Sequence, residues 1–383
     1  MTMQWKYTLS EPVLGDAELL AVADCIKSGW LSMGPRTRLF EDRYAEMIGA
    51  RHAIAVSNGT AALHLALAAL GIGPGDEVVQ PSINFVAAAN MTKALGAIPV
   101  FADIVSTGEP TLSPTDLAAK LTPRTKAVVV MHFGGYAARM KEIMEICNAR
   151  NIPVIEDACH APAQRDADTG KYLGTIGSIG CFSFFSNKNM TTAEGGLAAT
   201  DDEDLAARIR NMRSHGMTTL SWDRHHGRPS TYDVLAHGFN YRTDDLRSAL
   251  GLAQLDRLLE INDSRRRLAA CYASEIERRL DNRAHYIFAE RPTEGTAHLA
   301  GIVIDPALRD AVRTRLAELG VQSSLHYPPI HLFSAFAGSC PDGLPVSESF
   351  SRGMITLPMH AGLDEAGIRC IVDLLAEAFD HHA

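Results

Sequence analysis

The chain has 383 residues and a formal net charge of −9, with 36 Lys and Arg against 45 Asp and Glu. At about 100–200 residues per domain, this length predicts two domains, or one large domain with a smaller appendage. A composition of 46% hydrophobic and 21% charged residues excludes a disordered, collagenous or coiled-coil chain. The acidic balance argues against a dedicated nucleic-acid binder, which usually carries a basic surface.

The seven cysteines are scattered, and no two of them form a C-x-x-C pair. Their distribution predicts neither a disulfide framework nor a zinc site, and it fits a reducing compartment. The N-terminus lacks the apolar core of a secretion signal, and the longest apolar stretch, 61–73, is too short to span a bilayer. We therefore expect a cytoplasmic protein without a metal site and without a membrane or nucleic-acid partner.

The first 49 residues predict two helices, after which short apolar runs alternate with longer amphipathic stretches. The runs are apolar almost throughout, as in parallel strands that are buried on both faces. The stretches between them have helical spacing. The predicted strands are 53–56, 77–80, 99–103, 127–131 and 153–156. Alternation of this kind predicts an α/β domain with a mostly parallel central sheet.

The pattern changes after residue 180. Strands are predicted over 180–185 and 197–200, and a helix over 202–212. The stretch 213–241 has no clear periodicity, and loops of such length are usually functional or interfacial. A long helix is predicted over 243–279, with a kink as an open alternative. A small α+β unit follows, with predicted strands 299–305 and 322–326 and predicted helices 309–319 and 364–379.

Ser57-Asn58-Gly59-Thr60 lies between a predicted strand and a predicted helix. Ser57 or Asn58 can cap this helix, which leaves the N–H groups of Gly59, Thr60 and Ala61 free at its N-terminus. Such an N-terminus binds phosphate, because its N–H groups and the helix dipole both favour an anion. An ordinary helix cap is the commoner explanation for so short a motif.

Glu156 and Asp157 end an apolar strand. Ligands of open α/β sheets bind at the carboxyl ends of strands, so Asp157 is placed to meet a cation, a metal or a protonated ring nitrogen. A loop cap explains the pair equally well. His160, three residues further on, is by itself more often structural than catalytic.

Lys188 follows an aromatic strand and precedes Gly195-Gly196. Most lysines are solvated, and that remains the alternative for this one. In apolar surroundings, however, desolvation lowers the pKa of a lysine and exposes a neutral amine. Schiff-base chemistry requires such an amine.

Together these segments resemble the DegT/DnrJ/EryC1/StrS family, the sugar aminotransferases of the fold-type I pyridoxal phosphate (PLP) superfamily. The resemblance covers nearly the whole chain and rests on 29–35, 57–63, 81–87, 156–158, 183–189, 238–242 and 326–331. It implies an aspartate-aminotransferase-like fold. A large PLP-binding α/β domain would span 1–250, and a long connecting helix with a small C-terminal α+β domain would span 251–383.

The resemblance also implies roles for single residues. Lys188 would bond to the cofactor and move protons between cofactor and substrate. Asp157 would keep the pyridine nitrogen protonated, and His160 would lie near the 3′-oxygen of the ring. Phe85 would stack on the ring.

Further roles concern the phosphate and the substrates. The predicted phosphate ligands are Gly59, Thr60, Ala61, Ser183 and Asn240. Asn240 would reach the site from a neighbouring subunit, which implies a homodimer. The candidate substrate contacts are Trp30, Arg213, Arg228, His326, Tyr327 and His331. For the arginines of 213–241 and the late histidines, packing or an interface is an equally good explanation.

Some relatives carry His in place of the lysine and are dehydratases, so Lys188 favours transamination. The implied reaction moves an amino group from an amino acid, expected to be glutamate or glutamine, to a keto-sugar, expected to be nucleotide-linked. PLP and its pyridoxamine form (PMP) would carry the group. A first alternative is a PLP enzyme that acts on a cyclitol or another natural-product ketone, or that catalyses elimination or oxidation. A second alternative is a cofactor-binding regulator or a catalytically inactive partner subunit, and a third is an α/β enzyme without PLP.

Overall fold

The computed structural model describes residues 5–218, 227 and 231–381. Its larger sheet contains β1 (His52–Val56), β2 (Glu77–Pro81), β3 (Ile98–Ala102), β4 (Thr125–Met131), β5 (Val154–Asp157), β6 (Ile179–Ser183) and β7 (Gly196–Thr200). The strand order is β1-β7-β6-β5-β4-β2-β3. β7 is antiparallel to both of its neighbours, and the remaining pairs are parallel. The predicted α/β domain with a mostly parallel sheet is therefore confirmed.

Helices cover this sheet and precede it. They are α1 (Asp16–Lys27), α2 (Pro35–Ile48), α3 (Gly59–Ala69), α4 (Ala87–Ala94), α5 (Pro114–Lys120), α6 (Met140–Asn148) and α7 (Glu203–Arg213). Every residue of β2, β5 and β7 is buried, as expected for strands that are covered on both faces.

A single long helix, α8 (Asp245–Leu280), leads to the small unit and runs unbroken for 36 residues. The small unit contains β8 (Ala284–Tyr286), β9 (Ala300–Ile304), α9 (Arg309–Glu318), α10 (Pro345–Gly353), β10 (Met354–Leu357) and α11 (Glu365–Asp380). Its three strands form an antiparallel sheet in the order β10-β9-β8.

The long helix contributes to two hydrophobic cores. Leu255 and Leu258 pack with α2 and the aromatic side chains of β6. Leu268, Tyr272 and other residues of its second half pack with the small sheet and α11. The boundary between 1–250 and 251–383 stays a prediction.

Some predicted elements are wrong. Residues 322–326 form no strand, because this segment pairs at a single position, Ser324 with Thr356, and the bridge before it joins Val321 to Tyr7. The sequence analysis also missed β8, α10 and β10. These elements are short, with three, nine and four residues, so local patterning carries little information about them.

The parallel arrangement sets the position of the site. The chain leaves β1, β2, β4, β5 and β6 at the same edge of the sheet, since all of these strands run in one direction. Side chains that follow these strands are therefore brought together.

No helix among the described residues has the length and apolar character needed to cross a bilayer. All seven cysteines are free thiols in this structure.

A buried hydrogen bond between His132 and Glu156 anchors the end of β5. His132 Nε2 lies 2.9 Å from Glu156 Oε2, and both side chains are fully buried. Glu156 also accepts hydrogen bonds from the N–H groups of Gly174, Ile176 and Gly177. Burial by itself would raise the pKa of Glu156, but His132 and these N–H groups outweigh it and hold the pKa below its usual value. Glu156 is thus a structural carboxylate, and Asp157 is the one left for the site.

Candidate active site

The loop after β1 leads into α3, whose N-terminus is capped by a side chain. Asn58 Oδ1 accepts the N–H of Ala61 at 2.8 Å, so Asn58 rather than Ser57 is the cap of α3. The prediction that the Ala61 N–H is free is therefore wrong, because the cap already occupies it. Gly59 and Thr60 carry the N–H groups that stay directed out of the helix.

Gly59 lies in a tight concave surface beside β6. A Cβ atom at this position would lie 3.0 Å from the Cβ of Ser183 and 3.1 Å from the Sγ of Cys159. Only glycine fits there without displacing a neighbour. The N–H of Gly59 and the hydroxyl of Ser183 therefore lie close together. Backbone and hydroxyl donors at a helix N-terminus are suited to a phosphate group.

Asp157 is a nearly buried carboxylate at the carboxyl end of β5, with 3% of its surface exposed. Oδ2 accepts the side-chain N–H of Asn84 and Oδ1 accepts the N–H of Cys159, each at 3.3 Å. Both bonds are long, so the carboxylate retains acceptor capacity for a ligand. Phe85, next to Asn84, leaves 54% of its surface exposed, with its ring centroid 6.2 Å from that of Tyr327.

Lys188 contacts a histidine that the motifs did not indicate. Its Nζ atom lies 3.5 Å from Nε2 of His298, which precedes β9. Burial lowers the pKa of Lys188 below its ordinary value, although Cys159 and Asp157 oppose this in part. A larger fraction of this amine is therefore neutral near pH 7 than for a solvated lysine.

Aromatic and histidine side chains surround this amine. The ring centroids of His160 and His298 are 4.1 Å apart, and Tyr327 Oη lies 3.2 Å from His160 Nε2. Nδ1 of His160 is buried and has no hydrogen-bond partner among the described residues. His326 bonds to Thr356 Oγ1 through Nδ1 at 2.8 Å.

The three histidines are neutral at pH 7. Burial, followed by the positive charge of Lys188, lowers the pKa of His326 to about 4. The same causes hold the pKa of His160 well below its usual value, and His298 is lowered by burial and then by His160 and Lys188. Burial also raises the pKa of Tyr327, which keeps it a phenol.

Two predicted substrate contacts, Arg213 and His331, form hydrogen bonds to other protein groups. Arg213 is buried and donates to the carboxylate of Glu41 and the carbonyl of Ala55, so it fastens α7 to α2 and β1. His331 is buried as well, and its ring nitrogens bond to Ser82 Oγ at 2.7 Å and Glu348 Oε1 at 3.3 Å. Both side chains are thus engaged within the protein, although Nε of Arg213 is buried and has no hydrogen-bond partner among the described residues.

Three other predicted residues lie away from Lys188 or outside the described chain. Trp30 packs against Gly34 at the start of α2. Asn240 is exposed, its backbone pairs with Ser214, and the next residue accepts the N–H of Ser57 beside β1. Arg228 lies outside the described residues.

Sequence reasoning missed His298, Asn84 and Cys159 as neighbours of the predicted site. Asn84 lies within a quoted motif and could have been found there. His298 is a single histidine before an apolar run, which carries no sequence signal.

In the described part of the chain, no group of three His, Cys, Asp or Glu residues is arranged to hold a metal ion.

The sequence profile of the DegT/DnrJ/EryC1/StrS aminotransferase family matches residues 12–376. The chain belongs to this family. It is 35% identical over 387 residues to the dTDP-4-dehydro-2,3,6-trideoxy-D-glucose 4-aminotransferase of Saccharopolyspora spinosa, covering 98% of this chain and 97% of the relative. The aminotransferase TlmJ from Streptoalloteichus hindustanus matches with a TM-score of 0.90 at 35% identity, over 98% of this chain and all of that one.

A third match concerns the cofactor. Spr1654 from Streptococcus pneumoniae has been solved in a PLP form, which matches with a TM-score of 0.89 at 26% identity, over 98% of this chain and 99% of that one. It has also been solved in a PMP form. The protein is thus an aminotransferase of the fold-type I class, and its cofactor is PLP.

The residues that surround Lys188 fit this cofactor. The space at Gly59 has donors for a phosphate, and Asp157 is a buried carboxyl group that suits a protonated ring nitrogen. The unpartnered Nδ1 of His160 supplies a polar atom for the ring substituents. Lys188 provides the amine.

We expect the buried histidines to make the cofactor-free protein sensitive to acid. The pKa values of these histidines are lowered in the folded chain, so below pH 6.5 the unfolded chain binds more protons than the folded chain. The free energy of unfolding therefore decreases as the pH is lowered. For His326 this loss runs from about pH 6.5 down to about 4, at up to about 1.4 kcal/mol per pH unit.

Denaturant unfolding of His326→Asn at several pH values measures this effect. The variant should lose less stability on acidification than the unmodified chain. Replacement of the exposed His285 by Asn should leave the slope unchanged. An equal dependence of stability on pH in all three proteins would show that folding does not lower the pKa of His326.

Proposed function

We propose that this protein transfers an amino group from glutamate or glutamine to a keto-sugar that is linked to a nucleotide. The observation that carries the proposal is the partly buried Lys188 amine, with its lowered pKa, in a pocket that also contains Asp157. The name of the S. spinosa relative, a 4-aminotransferase of a dTDP-linked dehydro-sugar, supports the class of acceptor.

Lys188 and Asp157 would divide the proton chemistry. When bound, PLP supplies the electron sink that makes a carbon–hydrogen bond next to nitrogen acidic. The carboxylate of Asp157 would hold a proton on the pyridine nitrogen, since an opposite charge nearby raises the pKa of such a group by about 1–3. Lys188 would hold the cofactor covalently. Its neutral amine could also accept a proton from the donor carbon at Nζ and return it.

The remaining predicted cofactor residues would orient the cofactor. The N–H groups of Gly59 and Thr60 and the hydroxyl of Ser183 would bind the phosphate. The exposed ring of Phe85 would stack on the pyridine, which contributes about 0.5–1.5 kcal/mol beyond burial. His160 would donate to or accept from the 3′-oxygen through its unpartnered Nδ1.

Neutral groups would contact the acceptor. Tyr327 and His326 line the same pocket, and both are uncharged at pH 7. Neutral donors and acceptors suit sugar hydroxyls, because they bind them without the desolvation cost of a full charge. Arg228 keeps its predicted role as a contact for a negatively charged substrate group.

The active unit we propose is a homodimer with shared sites, located in the cytoplasm. Exposed apolar side chains on α1, among them Leu19, Leu20 and Ile26, support self-association. Asn240 is exposed near the carboxyl end of β1, which suits a residue that serves the phosphate site of a neighbouring subunit. The free thiols support a reducing compartment.

Lys188→Ala should reduce amino transfer from glutamate to a nucleotide-linked 4-keto-sugar by about 10²–10⁴-fold, because the proton acceptor is lost. Product analysis by mass spectrometry should find an amine. Replacement of the exposed Lys171 by Ala should leave the rate unchanged. Full activity of Lys188→Ala would contradict the role of this lysine, and a dehydrated product would contradict amination.

Mixing two impaired variants tests the shared site. In a dimer of Lys188→Ala with Asn240→Ala, one site carries both substitutions and the other carries neither. After subunit exchange at equal amounts, about one site in four should be intact, since a two-fold interface is reciprocal. We expect the mixture to regain about a quarter of the unmodified activity. Activity no higher than that of the separate variants would show that Asn240 serves its own subunit.

A further inference from the structure

We propose that His298 is a positioning residue for Lys188. Its Nε2 atom would accept a hydrogen bond from the free lysine amine, and a buried pair of asparagines fixes the tautomer that makes this possible. The inference rests on the proposed role of Lys188.

The orientation of both asparagines is fixed by groups that can only accept. Asn262 Nδ2 donates to the carbonyl of Pro162 at 2.9 Å, so Asn262 Oδ1 faces Asn189. Asn189 Nδ2 donates to this oxygen and to the carbonyl of Thr296, each at 2.9 Å. Both N–H donors of the Asn189 amide are therefore in use, and its oxygen points elsewhere.

That oxygen determines the protonation of the histidine ring. Asn189 Oδ1 lies 3.2 Å from His298 Nδ1. Because an amide oxygen only accepts, Nδ1 of the imidazole must carry the hydrogen. The lone pair of the neutral ring is then on Nε2, which is the atom that lies 3.5 Å from Lys188 Nζ.

The histidine is also held in place. Arg265 is buried and donates to the carbonyls of Ala297 and His298, at 3.2 and 3.4 Å, and to that of Met359. The N–H of His298 donates to the carbonyl of Gly134 at 2.8 Å. These bonds tie the residue to α8 and to the segment after β4, so the acceptor atom stays at a defined position.

The surrounding charges keep the ring an acceptor. The titratable and charged groups around the two side chains are His160, His326, Tyr327, Cys159, Asp157 and Arg265. Burial first, and then His160 and Lys188, hold the pKa of His298 well below its usual value. A neutral acceptor bonds more strongly to an ammonium than to a neutral amine. His298 should therefore raise the pKa of the free lysine and restrict its side chain.

Labelling of the cofactor-free protein tests this inference. The amine reacts with acetic anhydride only when it is neutral, so the pH midpoint for acetylation of the Lys188 peptide, followed by mass spectrometry, reports its pKa. His298→Phe keeps the ring packing and removes the acceptor, and His298→Ala removes both. Both variants should lower the midpoint by about 1 pH unit. His298→Gln, whose amide oxygen can accept at the position of Nε2, should restore it.

Unchanged or raised midpoints in the Phe and Ala variants would overturn the inference. His285→Ala, at an exposed position, serves as the control and should not alter the pH midpoint for acetylation. Because this experiment needs neither PLP nor substrate, its failure is distinguishable from failure of the proposed amino transfer. A residue with a purely structural role would change the thermal midpoint of unfolding without moving the labelling midpoint.

Discussion

An ammonium group loses its hydration when a protein buries it, and this cost favours the neutral amine. Lys188 is subject to this constraint at the carboxyl edge of the sheet, where Asp157 opposes it only in part. The neighbouring histidines respond to the same constraint and stay neutral. The pocket therefore combines one anionic carboxylate with a reactive amine and several uncharged polar groups. Such a set suits a cofactor with a cationic ring nitrogen and an aldehyde.

The features that the sequence predicted well are local. A cap after β1, a carboxylate at the end of β5 and a lysine after β6 each follow a strand, and parallel strands bring their carboxyl ends to one edge. The proximity of Gly59 to Ser183 is implied only by the family resemblance, because the alternation of strands and helices does not determine that β7 lies between β1 and β6.

The features that it could not predict depend on distant partners. Arg213 donates to Glu41, and His331 bonds to Ser82 and Glu348. His298 becomes a neighbour of Lys188 only because the small unit packs against the large one. Composition and spacing contain no record of such pairs, because the partners, Glu348 excepted, are more than a hundred residues apart in the chain.

The central claim is that Lys188 is the amine that holds PLP. Borohydride reduction of the PLP-loaded protein fixes the cofactor where it is attached, and peptide mass spectrometry then locates it. We expect a pyridoxyl phosphate group on the peptide that contains Lys188, at about one group per chain. A group on another lysine, or no stable attachment after reduction, would contradict it.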